Sequence, residues 1–521
     1  MEQMDGKRRL YMRRWLIAGV AVLLLVPIAA LFIIAPRLGP IARAQVLKVL
    51  REKYQSDVEL KDLKISLFPR VEARGEGLVM HYHGRTDLPP FISIKAFQAN
   101  ADFKSLLQDV KHVNALRLEG LEIHIPPKSE REQWPKKDSE SGKGKPIEIV
   151  VDRVVADGSK LVILPKEEGK DPLEWDIHKL TLHSVGAGLP MQFVATLANA
   201  KPPGDIQSTG QFGPFDGDDP GSTPVSGKYT FANADLSVFN GISGTLASTG
   251  EYQGTLNRIE VDGETDVPDF MVKVAGNPIH LNTKFHSVVD GTSGDTLLEP
   301  VTASFLRSAL TANGGVTGTK GVPGKTVDLD VVVNQARLQD ILKLAIKSSS
   351  TPMTGIISFK TKMIIPPGDK DIAEKLRLNG QFGIGAAKFT SLDVQNKVNK
   401  LSGRARGDTD DSDAESVLSN LQGRFVLDNG KVTFTKLSFS VPGALIQMAG
   451  SYNLRGGELD FHGTARMDAK VSQMTTGFKS LLLKAADPFF KKQGAGAVIP
   501  IKITGTRENP SFGLELRRKK S

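Results

Sequence analysis

The chain contains no cysteine in its 521 residues. This absence excludes disulfide scaffolds, thiol catalysis and cysteine-ligated zinc or iron–sulfur sites. It leaves the compartment open, because a chain without cysteine is equally stable in oxidising and reducing surroundings. Aromatic residues make up only 6% of the chain, but 40% of it is hydrophobic and 24% is charged, and these totals exclude a disordered chain and a multi-span membrane protein.

Sequence motifs that carry catalysis are also missing. Residues 318–326 end in Gly-Lys-Thr like a phosphate-binding loop, but Thr319 occupies the first required glycine position and the following residues predict a strand where the loop needs a helix. The segment closest to a nucleophile elbow, at 241–244, has the wrong register. We therefore predict no enzymatic activity, no catalytic residue and no bound cofactor.

Two groups of residues resemble metal ligands only in part. His81 and His83 would share one strand face, but spacing suggests no third ligand, which favours a surface or cross-strand pair. The acidic residues at 408–413 lack the glycine and the bidentate glutamate of a calcium loop. A solvated acidic loop is the better interpretation, and we predict no metal site.

The net charge of +9 is mild for this length and is concentrated at the two ends, at residues 7–14 and 517–520. Short terminal basic clusters suit the headgroups of anionic phospholipids. A nucleic-acid binder would carry its basic residues along a recognition motif. The sequence contains no such motif, so we do not expect nucleic acid as a partner.

The chain has a single long hydrophobic run, at 15–35, with 21 consecutive uncharged residues. As a helix it would be about 31 Å long, which matches the hydrocarbon core of a bilayer. The residues predicted to anchor it are Trp15 at the interface, Leu23, Phe32, and Pro27, which membrane helices tolerate. A cleaved signal peptide is the alternative, but its apolar region is normally shorter, so we expect an uncleaved signal anchor.

Flanking charges predict the orientation of this anchor. Residues 5–14 hold five Lys or Arg, whereas residues 36–45 hold two. The positive-inside rule then places the tail at 1–14 in the cytoplasm and the body on the other side of the membrane. In a Gram-negative cell this predicts a single-pass inner-membrane protein with a periplasmic body.

The body shows the period-two alternation of strands that have one apolar and one wet face. Interruptions of this alternation beside Gly or Asp, as at Gly120, predict β-bulges. A second pattern, Gly-polar-aromatic, recurs without a fixed period, and we interpret it as a turn glycine followed by an inward ring in a series of hairpins. Its six copies begin at Gly210, Gly227, Gly250, Gly380, Gly423 and Gly450.

Helical spacing is rare outside the anchor. It appears at 37–54, at 338–346 and at 470–492, where lysines suggest either a helix on an anionic bilayer or one that caps the sheet. Polar stretches at 201–224 and 404–416 predict long exposed loops. The predicted organisation after the anchor is listed here: an N-terminal β module at 36–127, a polar linker at 128–146, an elongated β body at 147–469, an amphipathic helix at 470–492, and terminal strands with a basic tail at 493–521.

Several segments taken together resemble the AsmA family of bacterial envelope proteins. Two segments, 58–80 and 105–125, resemble its N-terminal module. The first contains Leu-Phe-Pro at 67–69, after a short predicted strand, and the second contains Leu-x-Gly-Leu-x-Ile at 118–123. The segments 421–467 and 499–516 resemble its closing part. The middle of the chain, at about 200–400, resembles the family in its general character more than in specific motifs.

The resemblance implies inner-membrane anchoring, a periplasmic body and a role in outer-membrane biogenesis. It also implies a fold: an elongated, curled antiparallel β-sheet, similar to chorein-type bridge proteins, whose groove carries phospholipid acyl chains. The family has no agreed catalytic residues, so none is transferred. Val331, Phe439, Phe461 and Ile501 are the residues that we predict to line such a groove.

Two functions fit this sequence best, and an envelope hydrolase is a distant third. The first is a module that holds or passes phospholipid, or a lipopolysaccharide precursor, in an apolar groove. The second is a non-enzymatic scaffold or regulator of outer-membrane protein assembly and of protein targeting to the membrane, with outer-membrane assembly proteins as partners. They differ in whether the apolar face of the sheet is open or filled by protein.

Overall fold

A computed structural model describes most of the body of the protein. The described residues are 43–44, 47–48, 51, 57–66, 70–81, 89–102, 104–105, 110–125, 148–164, 173–186, 190–214, 220–319, 322–347, 351–406, 417–468, 497–507 and 509–515. The predicted segments 1–14, 15–35 (with Trp15, Leu23, Pro27 and Phe32), 128–146 and 470–492 lie outside them. Within the described part of the chain, no helix is both long and apolar enough to span a bilayer.

The described residues form 25 strands that belong to one sheet, and this confirms the prediction of a mainly β protein with few helices. The strands are β1 (Val58–Ser66), β2 (Val71–Met80), β3 (Ile92–Ala101), β4 (Val110–Val113), β5 (Ala115–Ile125), β6 (Glu148–Ile163), β7 (Leu173–Gly186), β8 (Met191–Ala200), β9 (Pro203–Phe212), β10 (Pro224–Asp235), β11 (Ile242–Ser243), β12 (Thr245–Thr255), β13 (Arg258–Val272), β14 (Ile279–Val289), β15 (Thr296–Phe305), β16 (Ser308–Thr319), β17 (Val322–Arg337), β18 (Met353–Ile365), β19 (Arg377–Phe389), β20 (Ser419–Asp428), β21 (Lys431–Val441), β22 (Ala444–Asn453), β23 (Glu458–Met467), β24 (Ala497–Thr506) and β25 (Pro510–Leu514).

Helices occupy little of the described chain. Beyond helical residues between 43 and 51, they are α1 (Leu338–Ala345), α2 (Ile372–Lys375), α3 (Leu392–Arg406) and two 3-10 turns, Pro220–Ser222 and Leu236–Val238. The helix predicted at 338–346 is confirmed by α1. Helix α3 was not predicted, because polar Gln395 and Ser402 lie on its buried side and interrupt the apolar stripe.

Each strand pairs antiparallel with its neighbour along the chain, apart from a few departures. Strand β6 runs parallel to β5 and to the short β4, and the two-residue β11 pairs with one end of β13. The glycine predicted to mark a bulge in β5, Gly120, has a φ of +61°, which side chains rarely adopt. The sheet order is therefore β1, β2, β3, β5 to β10, and then β12 to β25.

One predicted loop is wrong. Residues 203–212, inside the stretch 201–224, form strand β9 with regular alternation of exposed and half-buried positions. The only large apolar side chains in this strand are Ile206 and Phe212, so its sequence carries little hydrophobic signal. Pairing with β8 on one side and β10 on the other stabilises this strand although its own sequence has little preference for one.

The first strands enclose a packed core. One hydrophobic cluster contains residues from Val58 in β1 to Met191 in β8, and Leu47 packs against it. Its members therefore come from both sides of the predicted linker at 128–146. Arg43 donates to the carbonyl oxygen of Leu60, and Arg51 donates to that of Val58 at 2.9 Å. These arginines occupy carbonyls of a sheet edge that would otherwise be open to pairing with another strand.

The sheet coils strongly between β10 and β18. Seven antiparallel pairings separate these strands, so their C-terminal ends lie at opposite edges of the sheet. Nevertheless Asn240, after β10, donates through Nδ2 to the carbonyl of Asp369, after β18, at 2.6 Å. Seven steps of about 20–25° give roughly half a turn, which accounts for this contact.

Candidate functional site

One row of directly paired residues crosses the whole sheet, with one residue from every strand except β4 and β11; we call it the central row. Its members are Leu63, Gly75, Phe97, Leu118, Ala156, Leu180, Ala195, Ser208, Tyr229, Gly250, Gly263, Phe285, Val301, Ala312, Val331, Thr361, Gly380, Phe425, Phe434, Gly450, Phe461, Ile503 and Phe512. None is charged. At about 4.8 Å between strands the row is about 105 Å long.

The opposite face of the sheet is polar and charged. In β13, for example, Glu260, Asp262, Glu264 and Asp266 alternate with residues of the apolar face. Cations on this polar face are paired with acids: Lys228 Nζ lies 2.6 Å from Glu251, and the same atom of Lys362 lies 2.8 Å from Asp328. The sheet therefore separates a face with an uncharged central row from a face that carries acidic and basic side chains.

All four residues predicted to line a groove lie on the apolar face. Val331 and Phe461 belong to the central row and are 7% and 8% exposed. Ile501 lies two residues from Ile503 in β24, opposite Gly463. Phe439 lies opposite Leu421 and Ile446, nearer one edge of the same face. Their shared face is a structural fact, whereas their contact with lipid stays a prediction.

The cover over the apolar face changes along the sheet. In β1–β6, which we call the covered segment, Leu118 and Ala156 of the central row are each 1% exposed. In β9–β15, which we call the open segment, Tyr229, Phe285 and Val301 are only half-buried. No described residue between Phe212 and Leu298 belongs to a buried hydrophobic cluster or packs against one.

Glycines in this face lie beneath aromatic rings of neighbouring strands. A Cβ atom on Gly250 would stand 2.8 Å from the ring of Tyr229, and one on Gly423 would stand 2.9 Å from the ring of Phe382. The prediction that the Gly-polar-aromatic pattern begins with a turn glycine is thus wrong at these positions. The glycines lie within strands and let the rings lie low over the sheet.

The rings make a continuous aromatic surface between β19 and β23. The centroid of Phe382 lies 6.1 Å from that of Phe425 and 6.3 Å from that of Phe434, and Phe434 lies 5.8 Å from Phe461. Such spacings are typical of favourable ring pairs.

Hydroxyl groups of the open segment are satisfied within the protein. Tyr252 shares a hydrogen bond of 2.7 Å with Ser208, and Tyr229 shares one of 3.1 Å with Ser248, which donates to the carbonyl of Glu264. Burial raises the pKa of Tyr229 and of Tyr252 above the usual phenol value, and the hydrogen bonds shared with Ser248 and Ser208 oppose this only in part. Both phenols therefore stay neutral at physiological pH, and the face stays uncharged.

The other sequence candidates give no chemical centre in the described part of the chain. Residue His83 lies outside the described residues, and no group of three or more His, Asp or Glu elsewhere in them could hold a metal ion. The residues predicted to mimic a phosphate loop join strand β16, which ends at Thr319, to strand β17, which begins at Val322. That hairpin provides no helix N-terminus for a phosphate.

Comparison of the chain with protein-family models, with curated proteins and with solved structures finds no match. The candidate site accordingly rests on the geometry of the sheet.

Sequence reasoning missed the open segment, although it found the face. The prediction named Val331, Phe439, Phe461 and Ile501, which all lie in or beyond β17, where much of the face is better covered. A signal for the open segment was present in two Gly-polar-Tyr copies, at Gly227 and Gly250, because each tyrosine covers the glycine of the other strand.

Proposed function

We propose that this protein holds lipid acyl chains against the open segment of its apolar face. One observation carries the proposal. The uncharged central row continues through β9–β15, and no buried hydrophobic cluster of the described residues lies over it there. An apolar sheet face needs a cover of helix, sheet or guest molecule. Acyl chains are a suitable guest because they need no polar partner.

Dimensions and energies are consistent with this role. The six main strands of the open segment span about 24 Å, which exceeds the roughly 15 Å that one leaflet of acyl chains occupies in a bilayer. Burial of each methylene contributes about 0.8 kcal/mol, so one chain can offset much of the cost of leaving the bilayer. Catalytic groups are not required for such binding.

The cellular setting that we propose follows the sequence resemblance. An AsmA-like protein anchored by residues 15–35 in the inner membrane would expose this face to the periplasm. There it would hold or pass phospholipid, or a lipopolysaccharide precursor, in support of outer-membrane biogenesis.

A scaffold for outer-membrane protein assembly is the second candidate. It is favoured by one observation, the dry core of the covered segment, where Ile92, Val113 and Val151 are fully buried. If the open segment is covered in the same way by a protein partner, no lipid will occupy it.

Photocrosslinking of the full chain in cells separates these functions. We would place p-benzoylphenylalanine at Phe285, on the apolar face, and at the adjacent Lys284, on the exposed polar face, as the matched control. Lipid adducts found by mass spectrometry at position 285 and not at 284 are expected. Protein adducts alone at 285, or equal lipid adducts at both positions, would contradict the proposal.

A pair of charge variants provides a second test. Val301→Asp places a carboxylate on the apolar face, whereas Thr302→Asp places it on the polar face, where residue 302 pairs with Lys284. We expect Val301→Asp to reduce lipid adducts at position 285 about tenfold or more, because a charge is costly to bury against an acyl chain. Thr302→Asp should leave them unchanged.

A further inference from the structure

Three segments meet beside α1 at one edge of the sheet, and we call their surface the α1 rim. They are α1 with the two residues after it, the loop 273–277 after β13, and the turn Leu306–Arg307 between β15 and β16. The side-chain amide of Asn277 donates to the carbonyls of Lys343 and Ile346, at 3.0 Å each. The backbone N–H of Arg307 donates to Asp340 at 3.2 Å, so the segments hold one another in place.

Aliphatic side chains of the α1 rim point into solvent. Val274 is 58% exposed and Leu306 is 48% exposed. These are large fractions for apolar side chains on adjoining turns. Neither the turns nor α1 presents an exposed aromatic ring.

Basic side chains lie on the same surface. Lys273, Arg307, Lys343 and Lys347 are all exposed. Lys273 donates through Nζ to the carbonyl of Ser237 at 3.5 Å, whereas the other three form no salt bridge with a described residue.

Of the acidic side chains near the rim, Asp235 lies close enough to Lys273 for their charges to interact, and the other acids bind backbone or hydroxyl groups. Asp340 is 6% exposed and accepts from the backbone N–H of Arg307 and, at 2.8 Å, from the hydroxyl of Ser308. Asp269 accepts from the backbone N–H of Thr245 at 2.7 Å. The solvent-facing part of the rim therefore combines the positive charges of Arg307, Lys343 and Lys347 with exposed aliphatic groups.

From this combination we infer that the α1 rim docks on an anionic lipid bilayer. Lysine and arginine would reach the phosphate groups, while Val274 and Leu306 would enter the interface beneath them. An acidic protein is a weaker fit, because leucine and valine are under-represented among the residues that carry the binding energy of protein interfaces. The docked rim would bring one edge of the open segment, at β13 and β15, against the membrane.

The absence of cysteine allows a site-specific test on the full chain. Val274→Cys would be labelled with nitrobenzoxadiazole and the chain incorporated into vesicles of phosphatidylcholine, with or without phosphatidylglycerol. The matched control is Leu297→Cys, which is 42% exposed near the start of β15, at the other end of the strand that leads to Leu306. Two residues before it, Asp295 is already paired with Lys325 at 3.0 Å.

We expect a blue shift and a gain of emission at position 274 only in vesicles with phosphatidylglycerol, and no change at position 297. High salt should reverse the shift. Lys343→Gln combined with Lys347→Gln should weaken docking about tenfold or more, since each basic residue near an anionic surface contributes roughly fivefold.

Two results would overturn the inference. One is the absence of a blue shift at position 274 in vesicles with phosphatidylglycerol, which would leave an acidic protein as the better partner, or an equal shift in both kinds of vesicle, which would remove the role of the cations. The other is an equal shift at position 297, which would assign the effect to general proximity of the body to the membrane. Neither result depends on lipid adducts at position 285, so docking and acyl-chain binding can fail separately.

Discussion

The covered and open segments present the same kind of face in two different states. The central row passes through both, with Phe97 and Leu118 in the first and Tyr229 and Phe285 in the second. In the covered segment these side chains are at most 7% exposed, and Leu47 packs against the cluster that contains them. In the open segment they are half-buried. Alternation along a strand therefore does not reveal whether its apolar face is filled.

The segments differ in what covers the sheet and also in composition, because the central row carries Ser208, Gly250 and Gly263 in the open segment. Helix α1 packs beside Val333 and Ile357, and α3 packs beside Val441 and Ala444, so parts of the later strands are covered near one edge. The described residues place no comparable helix against the middle of β9–β15. The described part of the chain therefore leaves room for a guest at this segment.

Charge insertion should show the largest difference between the two segments. We expect Leu118→Asp to lower the free energy of unfolding by at least about 4 kcal/mol, because the carboxylate would be buried without a partner. Val301→Asp should cost only about 1–2 kcal/mol, because water reaches that position. Urea unfolding of the delipidated full chain, followed by circular dichroism, measures both values.

The control for this experiment is Thr302→Asp, whose carboxylate lies on the polar face opposite Lys284 and should change stability little. Equal losses for Leu118→Asp and Val301→Asp would show that the open segment is as well covered as β5, and the distinction between the segments would fail.

Glycine substitutions should give a smaller effect that tests how the rings lie on the face. A Cβ on Gly423 would stand 2.9 Å from both the ring of Phe382 and the carbonyl of Lys436, so Gly423→Ala should cost about 1–3 kcal/mol. Gly383, on the other face of the adjacent β19, has nothing within 4 Å of such an atom. Gly383→Ala should be neutral or stabilise by up to about 1 kcal/mol, because it restricts the unfolded chain. Equal losses in the free energy of unfolding for Gly423→Ala and Gly383→Ala, measured in the same assay, would argue against close packing of rings over glycine.

Much of the fold follows from local pattern, and much of the site does not. Alternation at Val327, Leu329, Val331 and Val333 predicted β17, because every second side chain faces one side of a strand. The central row depends on the register between strands, which no single strand encodes. The glycines were misread for the same reason: the ring above Gly250 comes from Tyr229, in the neighbouring strand.

The smallest expected effect concerns the two tyrosines of the open segment, which are covered enough for burial to raise their pKa. The unfolded chain releases these phenolic protons near pH 10, before the folded protein does. Their contribution to stability is therefore complete below about pH 10 and is lost as pH rises through the folded-state pKa.

Lys95, Lys160 and Lys362 also have raised pKa values, so they too lower the free energy of unfolding as pH rises, and the wild-type protein alone does not isolate the effect of the phenols. Tyr229→Phe combined with Tyr252→Phe leaves the lysines in place and should show a shallower decline in the free energy of unfolding between pH 9 and 11, the range around the phenol pKa. Identical declines would mean that water reaches both hydroxyls in the open segment as freely as in the unfolded chain.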